Sequence, residues 1–497
     1  MIRKSSLSVM ALLILVITTW GYASNGTQIG TIGGRSTAMA SAFRGLSDDW
    51  SAVYFNPAGL TQLGKFTVGA SGGFIMPRGS YDPANYSIYP TSSLKTDEVD
   101  LEPTTFFIPA FAVFYKPTDK LVAGIGVYAP FGLGTEWDLI KLSPEYGNPV
   151  GISKENEHYS DHKVITIQPT LAYEISEKLS VGLGASYIIG EMTIDQVVMA
   201  QNPLSDTWKS LQLGGVPLPN IENRLALENH LYGDGSSIGV NFGLLYKASE
   251  KLSIGLSARY CTDLALSGTV KQTRLLPSDT LVVPSLSTVP DVVFASEQDP
   301  TGEATKEYLV GSAAQVFSGM SFTNEWDVEA DLPLPITAGI GLAYKASPKL
   351  TLTADASWTN WAVWDEIVIE SKDENQDDLI MKQDWKDTWE IGAGMEYMAT
   401  NCLSVLLGLY TADTPAPEES ISPTILDPNR RWVLTGGLGY KKGKVAVNLT
   451  GEWVMFKDKE MISNDYVYDP DTGVPDNYAG NYSFAAYVVT LATQIEL

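Results

Sequence analysis

Six times along its length this chain repeats one construction. A segment of alternating apolar and small or polar residues ends on a tyrosine, a short polar turn follows, and a second alternating segment begins. The copies start at Tyr115 (FYKPTDKLVAGIG), Tyr173 (YEISEKLSVGLG), Tyr246 (YKASEKLSIGLS), Tyr344 (YKASPKLTLTAD), Tyr397 (YMATNCLSVLLG) and Tyr440 (YKKGKVAVNLT). Because strand residues two apart share a face, each copy reads as an antiparallel hairpin with a tight turn. Around the third, Ile238, Val240, Phe242, Leu244 and Tyr246 share a face that Leu252, Ile254, Leu256, Ala258 and Tyr260 continue. The opposite face carries Gly239, Asn241, Gly243, Ser253, Gly255, Ser257 and Arg259. The fourth repeats the division, with Leu350, Leu352, Ala354, Ala356 and Trp358 on one side and Thr351, Thr353, Asp355, Ser357 and Thr359 on the other.

A soluble sandwich also alternates, so length must decide. Eight residues separate Leu179 from Tyr187, Leu252 from Tyr260 and Leu350 from Trp358. At ~3.3 Å per residue and a tilt of ~40°, the apolar face rises roughly 20 Å between aromatic ends, close to the apolar band of an outer-membrane barrel. Twelve Trp, 24 Tyr and 44 Gly with only 18% charged residues fit such a barrel with its aromatic belts. Beyond the N-terminus no uninterrupted apolar stretch of ~18 residues occurs, which excludes a helical membrane protein.

Counting then sets the size. Six turns join twelve strands, and one more strand precedes and one follows: 65–75 with 105–115 as the first pair, 445–456 with 483–497 as the last. The expected fold is all-β, a 14-stranded antiparallel transmembrane β-barrel over residues 64–497, with both termini on the periplasmic side. Its setting would be outer-membrane lipid and lipopolysaccharide, and it would stand as a monomer. Successive belt tyrosines are 58, 73, 98, 53 and 43 residues apart, so the long external connections fall near 192–235 and 266–331. The apolar run LVVPSLSTVPDVVF in the second of these leaves two readings open, a groove for an apolar ligand or packing of the two loops on each other.

The N-terminus reads as a secretory leader over residues 1–23, with Arg3 and Lys4 ahead of the apolar run; an uncleaved anchor is the alternative. Residues 24–63 fit no strand pattern. TAMASAFRGL looks helical and SDDWSAVYFNPAGL begins at Ser47, a plausible cap. Some 39 residues ahead of a wide barrel lined with glycine and serine could fill the lumen as a plug, or hang free as a periplasmic tail. A net charge of −25 argues against nucleic acid as a partner.

Candidate chemistry is sparse. His158 and His162 are four apart, a zinc spacing on a helix, yet they lack the glutamate of HExxH. No GxSxG occurs. The acidic segments KDENQDD (372–378) and DPDTGVPDN (469–477) either bind a divalent cation or are simply solvated. No cofactor and no catalytic or metal-binding residue is assigned. A lipid-acting enzyme and a structural or adhesive barrel remain as other classes of function. The two cysteines, Cys261 at the outer end of a strand and Cys402 in the fifth turn, are expected at opposite rims, too far apart for a disulfide.

The chain resembles the FadL/TodX family of outer-membrane transporters for long-chain fatty acids and other hydrophobic compounds. FNPAGL (55–60), PFGLGTEW (130–137), QPTLAYEISEKLSVGLGASY (168–187) and GDGSSIGVNFGLLYK (233–247) carry the resemblance. So do LPLPITAGIGLAYK (332–345), DWKDTW (384–389) and TPAPEESISPTILDPNRRW (414–432). It implies a barrel closed by an N-terminal hatch, with Asn56, Pro57 and Ala58 as the hatch motif. It also implies a low-affinity groove between the third and fourth external loops, a tighter apolar pocket beneath, and coupling of ligand movement to the extreme N-terminus. An inward kink of the third strand would let substrate leave sideways into the membrane, with Gly124, Gly126 and Pro130 as candidates for the kink. The expected ligand is a hydrophobic small molecule, a fatty acid or an aromatic hydrocarbon. Arg259, expected to face inward, is a candidate for a fatty-acid carboxylate; an ion pair, with a lumenal carboxylate such as Asp355 or with the plug, is the alternative. The chain ends on Leu497 where such barrels commonly end on an aromatic, although Tyr487, Val489, Leu491, Thr493, Ile495 and Leu497 keep the lipid-facing alternation.

Overall fold

The computed structural model describes residues 26–30, 32–83, 98–139, 158–221, 224–278, 281–417, 420–421, 429–457, 459–461 and 480–497. The expected leader and the acidic segment 469–477 lie outside the described residues. Fourteen strands close into an antiparallel barrel. They are β1 (Phe66–Pro83), β2 (Phe106–Tyr115), β3 (Leu121–Trp137), β4 (His158–Ser176), β5 (Leu179–Gln201), β6 (Arg224–Lys247) and β7 (Leu252–Cys261). The second half comprises β8 (Thr337–Ser347), β9 (Leu350–Thr359), β10 (Thr388–Met398), β11 (Leu403–Ala412), β12 (Arg431–Lys442), β13 (Val445–Phe456) and β14 (Gly480–Glu496). Closure is made by β1 against β14, paired from Thr67↔Glu496 to Pro83↔Gly480. No helix among the described residues is long and apolar enough to cross a membrane.

The alternation seen in the sequence becomes an outside and an inside. Ile238, Val240, Phe242, Tyr246 and Tyr260 are exposed on the outer face, whereas Asn241 and Arg259 on the same two strands are buried. Belt aromatics ring the outer surface at both ends of the apolar band, with Tyr115, Tyr173, Tyr344 and Tyr440 at the short-turn rim and Tyr187, Trp358, Trp389, Trp432 and Trp453 at the far rim.

Beyond the far rim the wall continues. β5 and β6 stay paired from Leu179↔Tyr246 to Gln201↔Arg224, so much of the expected loop 192–235 is strand. The far part of β6 also pairs with strand Leu264–Leu275, which pairs with Ser321–Leu332, then Glu366–Ser371 and Leu379–Lys382. Turn spacing cannot reveal this, because a strand leaving the bilayer keeps its ladder wherever a partner satisfies its backbone groups. Three helices, α3 (Ser205–Leu213), α4 (Val282–Ser287) and α5 (Glu303–Val316), cap the extension. Trp208, Leu286, Phe294, Leu309 and Phe317 give them a core of their own, so the two long connections do pack on each other.

Residues 26–63 touch the inner face of the wall on every side. Gly34 and Ala38 accept hydrogen bonds from Thr450 of β13 and Thr435 of β12 (2.7 and 2.9 Å), and Trp50 N donates to Gln494 of β14 (2.9 Å). Val53 O accepts from Gln168 of β4 (2.9 Å), and Thr61 reaches Ser180 of β5 (3.0 Å). Only a segment inside the lumen meets all of these strands at once. Its helices are α1 (Gly34–Ala38) and α2 (Ala52–Phe55), followed by a 3-10 turn at Pro57–Gln62. The helical reading of TAMASAFRGL is therefore corrected: Ala40 and Ser41 have φ of 57° and break the run. Its apolar residues Ala38, Met39, Ala42 and Phe43 are all buried, and a segment enclosed on all sides has no helical face to display. Ser47 is not a cap either, with φ 36° and its Oγ donating back to Phe43 O at 2.8 Å.

Candidate functional site

Inside the barrel, Asn56 ties three pieces of chain together. Its Nδ2 donates to Arg44 O (2.9 Å) and to Leu244 O of β6 (3.0 Å), while its Oδ1 accepts from Ala58 N (3.2 Å). Pro57 opens the 3-10 turn, where its missing N–H costs nothing. The facing wall residue is Gly243; a Cβ there would lie 2.7 Å from the Pro57 ring, so glycine is what lets the segment approach this closely.

Arg44 is the second tie. Its guanidinium meets Asp355 of β9 at 3.2 Å and donates to Ser257 of β7 and Ser357 of β9, both at 3.0 Å. The same Asp355 oxygen accepts Phe43 N and Arg44 N (3.1 and 3.0 Å). Both side chains are buried, and a charge out of water survives only with such partners. Nearer the short-turn rim, Arg35 bridges Glu396 of β10 (2.6 Å) and Asp48. Sequence reasoning left Arg44 unnoticed. The signal was available, since Asp355 stands alone as a carboxylate in the inward row Thr351, Thr353, Ser357 and Thr359 and has to find a cation.

Arg259 faces inward and is 9% exposed. Its Nη2 donates to Tyr54 O (3.0 Å), and the guanidinium lies 4.2 Å from the Tyr54 ring centroid and 5.9 Å from that of Tyr128. Nε has no hydrogen-bond partner among the described residues. Asp355 is held by Arg44, and among the described residues Arg259 makes no ion pair; it lies against Tyr54 of the N-terminal segment.

The third strand departs from the regular wall. β2 pairs with β3 only from Phe111↔Val127 to Tyr115↔Ala123, although β2 begins at Phe106 and β3 runs on to Trp137. On its other side β3 follows β4 to Trp137↔His158, with one register shift between Tyr128 and Phe131. Pro130 sits in that shift. Its carbonyl accepts Ile29 N (2.8 Å), and Gly132 N donates to Thr27 O (2.8 Å), so this stretch of β3 bonds to the N-terminal segment rather than to β2. Gly124 and Gly126 lie in the regularly paired part; a Cβ at 126 would come within 2.9 Å of Val53.

Between α3, α5 and the extension sheet is a cavity of about 580 Å³ with a mixed lining, Leu204, Leu276 and Phe322 alongside Gln272, Arg274 and Asn324. The residues weighed for metal binding do not assemble. His158 and His162 are buried on β4, His230 is bonded to Asp195, and no group of three or more potential ligands gathers among the described residues. In segment 372–378, Asp373 accepts its own turn's Asn375 N at 2.9 Å. Cys261 and Cys402 are free thiols.

Comparison with known proteins agrees with this geometry. The family described as "Outer membrane protein transport protein (OMPP1/FadL/TodX)" matches residues 14–496. A long-chain fatty acid transport protein of Escherichia coli O6:H1 is 22% identical over 441 residues, covering 87% of each chain. A protein of the same description from Salmonella typhi is 22% identical over 442 residues, covering 86% of this chain and 87% of its own. Among solved structures, a Pseudomonas aeruginosa FadL homologue superposes with TM-score 0.67 at 14% identity, covering 95% of this chain and 99% of its own. The P. putida toluene transporter TodX gives 0.65 at 14% identity, covering 94% and 98%.

Proposed function

The chain belongs to the OMPP1/FadL/TodX family of outer-membrane transport proteins, and from that premise we propose that it carries hydrophobic molecules into the cell by lateral exit through its own wall. As a member of that family it is a transporter, not an enzyme. The short-turn rim with both termini faces the periplasm, and the helical extension faces outward. Substrate collects in the 580 Å³ cavity between the two long connections, descends to the upper surface of the plug formed by residues 26–63, and leaves between β2 and β3. The substrates are apolar chains, fatty acids or aromatic hydrocarbons, as the names of its relatives suggest. Arg259, whose Nε finds no partner among the described residues, is the candidate for a carboxylate head group. The protein works as a monomer in lipid and lipopolysaccharide, without nucleotide or cofactor.

The observation that carries this reading is the missing ladder between β2 and β3. Unpaired backbone in a membrane wall is tolerated only where protein or a cavity covers it, and here β3 has turned to the plug instead. Pro130 makes the bend, while Gly124 and Gly126 let β3 lie close to β2 and to Val53. The test is to straighten the strand: deleting Ala129 with Pro130→Val removes the extra residue of the register shift. In cells lacking other such transporters, oleate uptake should fall at least roughly tenfold while the barrel still folds, a loss of transition-state access worth ~1.4 kcal/mol. Undiminished uptake in a folded, heat-modifiable barrel would rule the route out.

A further inference from the structure

Beside the bend of β3, one buried amide meets three other elements of the fold. The ladder between β3 and β4 keeps its register to Tyr128↔Thr166 and resumes at Phe131↔Val164, so Tyr128 is the last regularly paired residue before the shift. Its ring is buried and lies edge-on to Tyr54 of the plug, with centroids 5.4 Å apart. Its hydroxyl donates to Oε1 of Gln168, a fully buried residue of β4, at 2.5 Å. The same Oε1 accepts from Ser186 of β5 (3.2 Å), while Nε2 donates to Val53 O of the plug (2.9 Å) and to Thr170 Oγ1 of β4 itself (3.1 Å). A glutamine amide offers two donors and two acceptor sites, and here all four are taken. Val53 O can only accept, which sets Nε2 on the plug side and leaves Oε1 for the Tyr128 hydroxyl. Both ends of segment 168–187 meet at this node, Gln168 and Thr170 at its start, Gly184 and Ser186 near its finish. Gly184 makes the room: a Cβ there would lie 2.5 Å from Gln168 Nε2. From Gln168 the contacts close into a circuit. Val53 is followed in the chain by Tyr54, whose hydroxyl donates to Ile29 O (3.4 Å); Ile29 N donates to Pro130 O (2.8 Å); and Pro130 lies two residues after Tyr128.

We propose that Gln168 is the positioning residue of the lateral opening: it fixes Tyr128 to the plug, and with it the point at which β3 turns away from β2. An amide with all four positions in use has no slack, so a shift of Val53 is passed on to Tyr128 rather than absorbed. Gln168 acts through Tyr128 and touches no substrate in this role. With the tie gone, the bend is held only by the N-terminal segment at Pro130 and Gly132; β3 relaxes toward β2 and the exit narrows. The inference rests on the lateral-exit reading above and assigns to it the residue that links plug and wall.

The test measures oleate uptake per folded, heat-modifiable barrel in cells whose other transporters are removed. Tyr128→Phe deletes one hydroxyl, and Gln168→Met keeps the bulk of the side chain without its polar atoms. Each should lower the maximal rate roughly tenfold, the scale of one buried hydrogen bond, with the half-saturating concentration unchanged because capture lies elsewhere. The double variant should lose no more than Gln168→Met alone, since both changes break one circuit. Exchange of the Ile29 and Gly132 amides should quicken in all three while the β6–β7 seam keeps its protection, a local signature that general destabilisation does not give. Undiminished uptake in the folded single variants, or losses that simply add in the double, would overturn the role of Gln168. If the straightened β3 abolishes uptake while these variants transport normally, only the positioning role fails; if straightening does nothing, the route itself fails.

Discussion

Between β6 and β7 the ladder runs unbroken from Gly239↔Cys261 to Lys247↔Ser253, whereas between β2 and β3 it stops at Phe111↔Val127 with half of each strand still to come. Both seams carry inward glycines and outward apolar residues. The difference lies in what stands behind them. Behind β6 and β7 a side chain makes each tie, from the wall or from the plug: Asn241 Nδ2 donates to Val53 O at 3.0 Å, Arg259 to Tyr54 O, and Asn56 Nδ2 to Leu244 O. Behind β3 it is the backbone that reaches the plug, through Pro130 O and Gly132 N. A membrane wall can give up strand pairing only where another partner takes the freed groups, so the gap and the plug form one construction.

The most severe way to break that comparison is to delete residues 26–63. The lumen loses its filling, and the barrel should conduct as an open pore in planar bilayers; a closed conductance like that of the intact protein would show that the segment does not seal it. Amide protection in the stretch of β3 around Pro130 should be lost in the same deletion, with the β6–β7 seam kept.

A smaller effect is expected at the buried tie between plug and wall. Asp355→Ala leaves Arg44 buried without its carboxylate, which costs about 3 kcal/mol. Exchange at Phe43 N and Arg44 N, both bonded to Asp355, should accelerate accordingly. Asp355→Asn keeps an acceptor and should lose less. Equal exchange in both variants would mean that the wall, and not this pair, seats the plug.

The extension beyond the far rim sharpens the contrast, because there a local cap does what the plug does below. Asp299 accepts Thr305 N (2.7 Å) and Gly302 N (3.0 Å) at the start of α5. Those bonds, the one to Thr305 foremost, hold its carboxyl below the usual carboxylate value. A depressed folded value stabilises above the unfolded value of about 3.9 and is lost as pH falls through the folded one. Protection of amides 302–306 should therefore persist down to about pH 4 and fail below it. In Asp299→Ala it should already be weak at neutral pH, with no acid step. An acid step surviving in that variant would assign it to another group.

The mildest probe needs no mutation. Cys402 in the turn after β10 is partly exposed and Cys261 at the end of β7 is buried, so a maleimide should label the first and spare the second in the folded protein. An intramolecular disulfide, seen by mass spectrometry without reductant, would contradict the strand register that sets the two thiols at opposite rims.

Much of this architecture is legible in the amino-acid sequence alone. Alternation with period two is imposed by each strand on itself, so the apolar rows from Ile238 to Tyr246 and from Leu350 to Trp358 mark the lipid face wherever the strands end up. Six tyrosine-bounded turns count twelve strands, because a short turn joins only antiparallel neighbours, and the alternating segments before and after them make fourteen. The inward glycines and serines imply a lumen with room in it. Tertiary structure alone decided the rest. That β3 abandons β2, that Pro130 O meets Ile29 N and that Asp355 receives Arg44 are meetings of residues tens to hundreds of positions apart. The fold of the plug belongs here too: enclosed on all sides, it carries no periodicity to read, and its backbone follows the wall around it. Local alternation is written in the order of residues, whereas the choice of partner across a lumen is made by every strand at once.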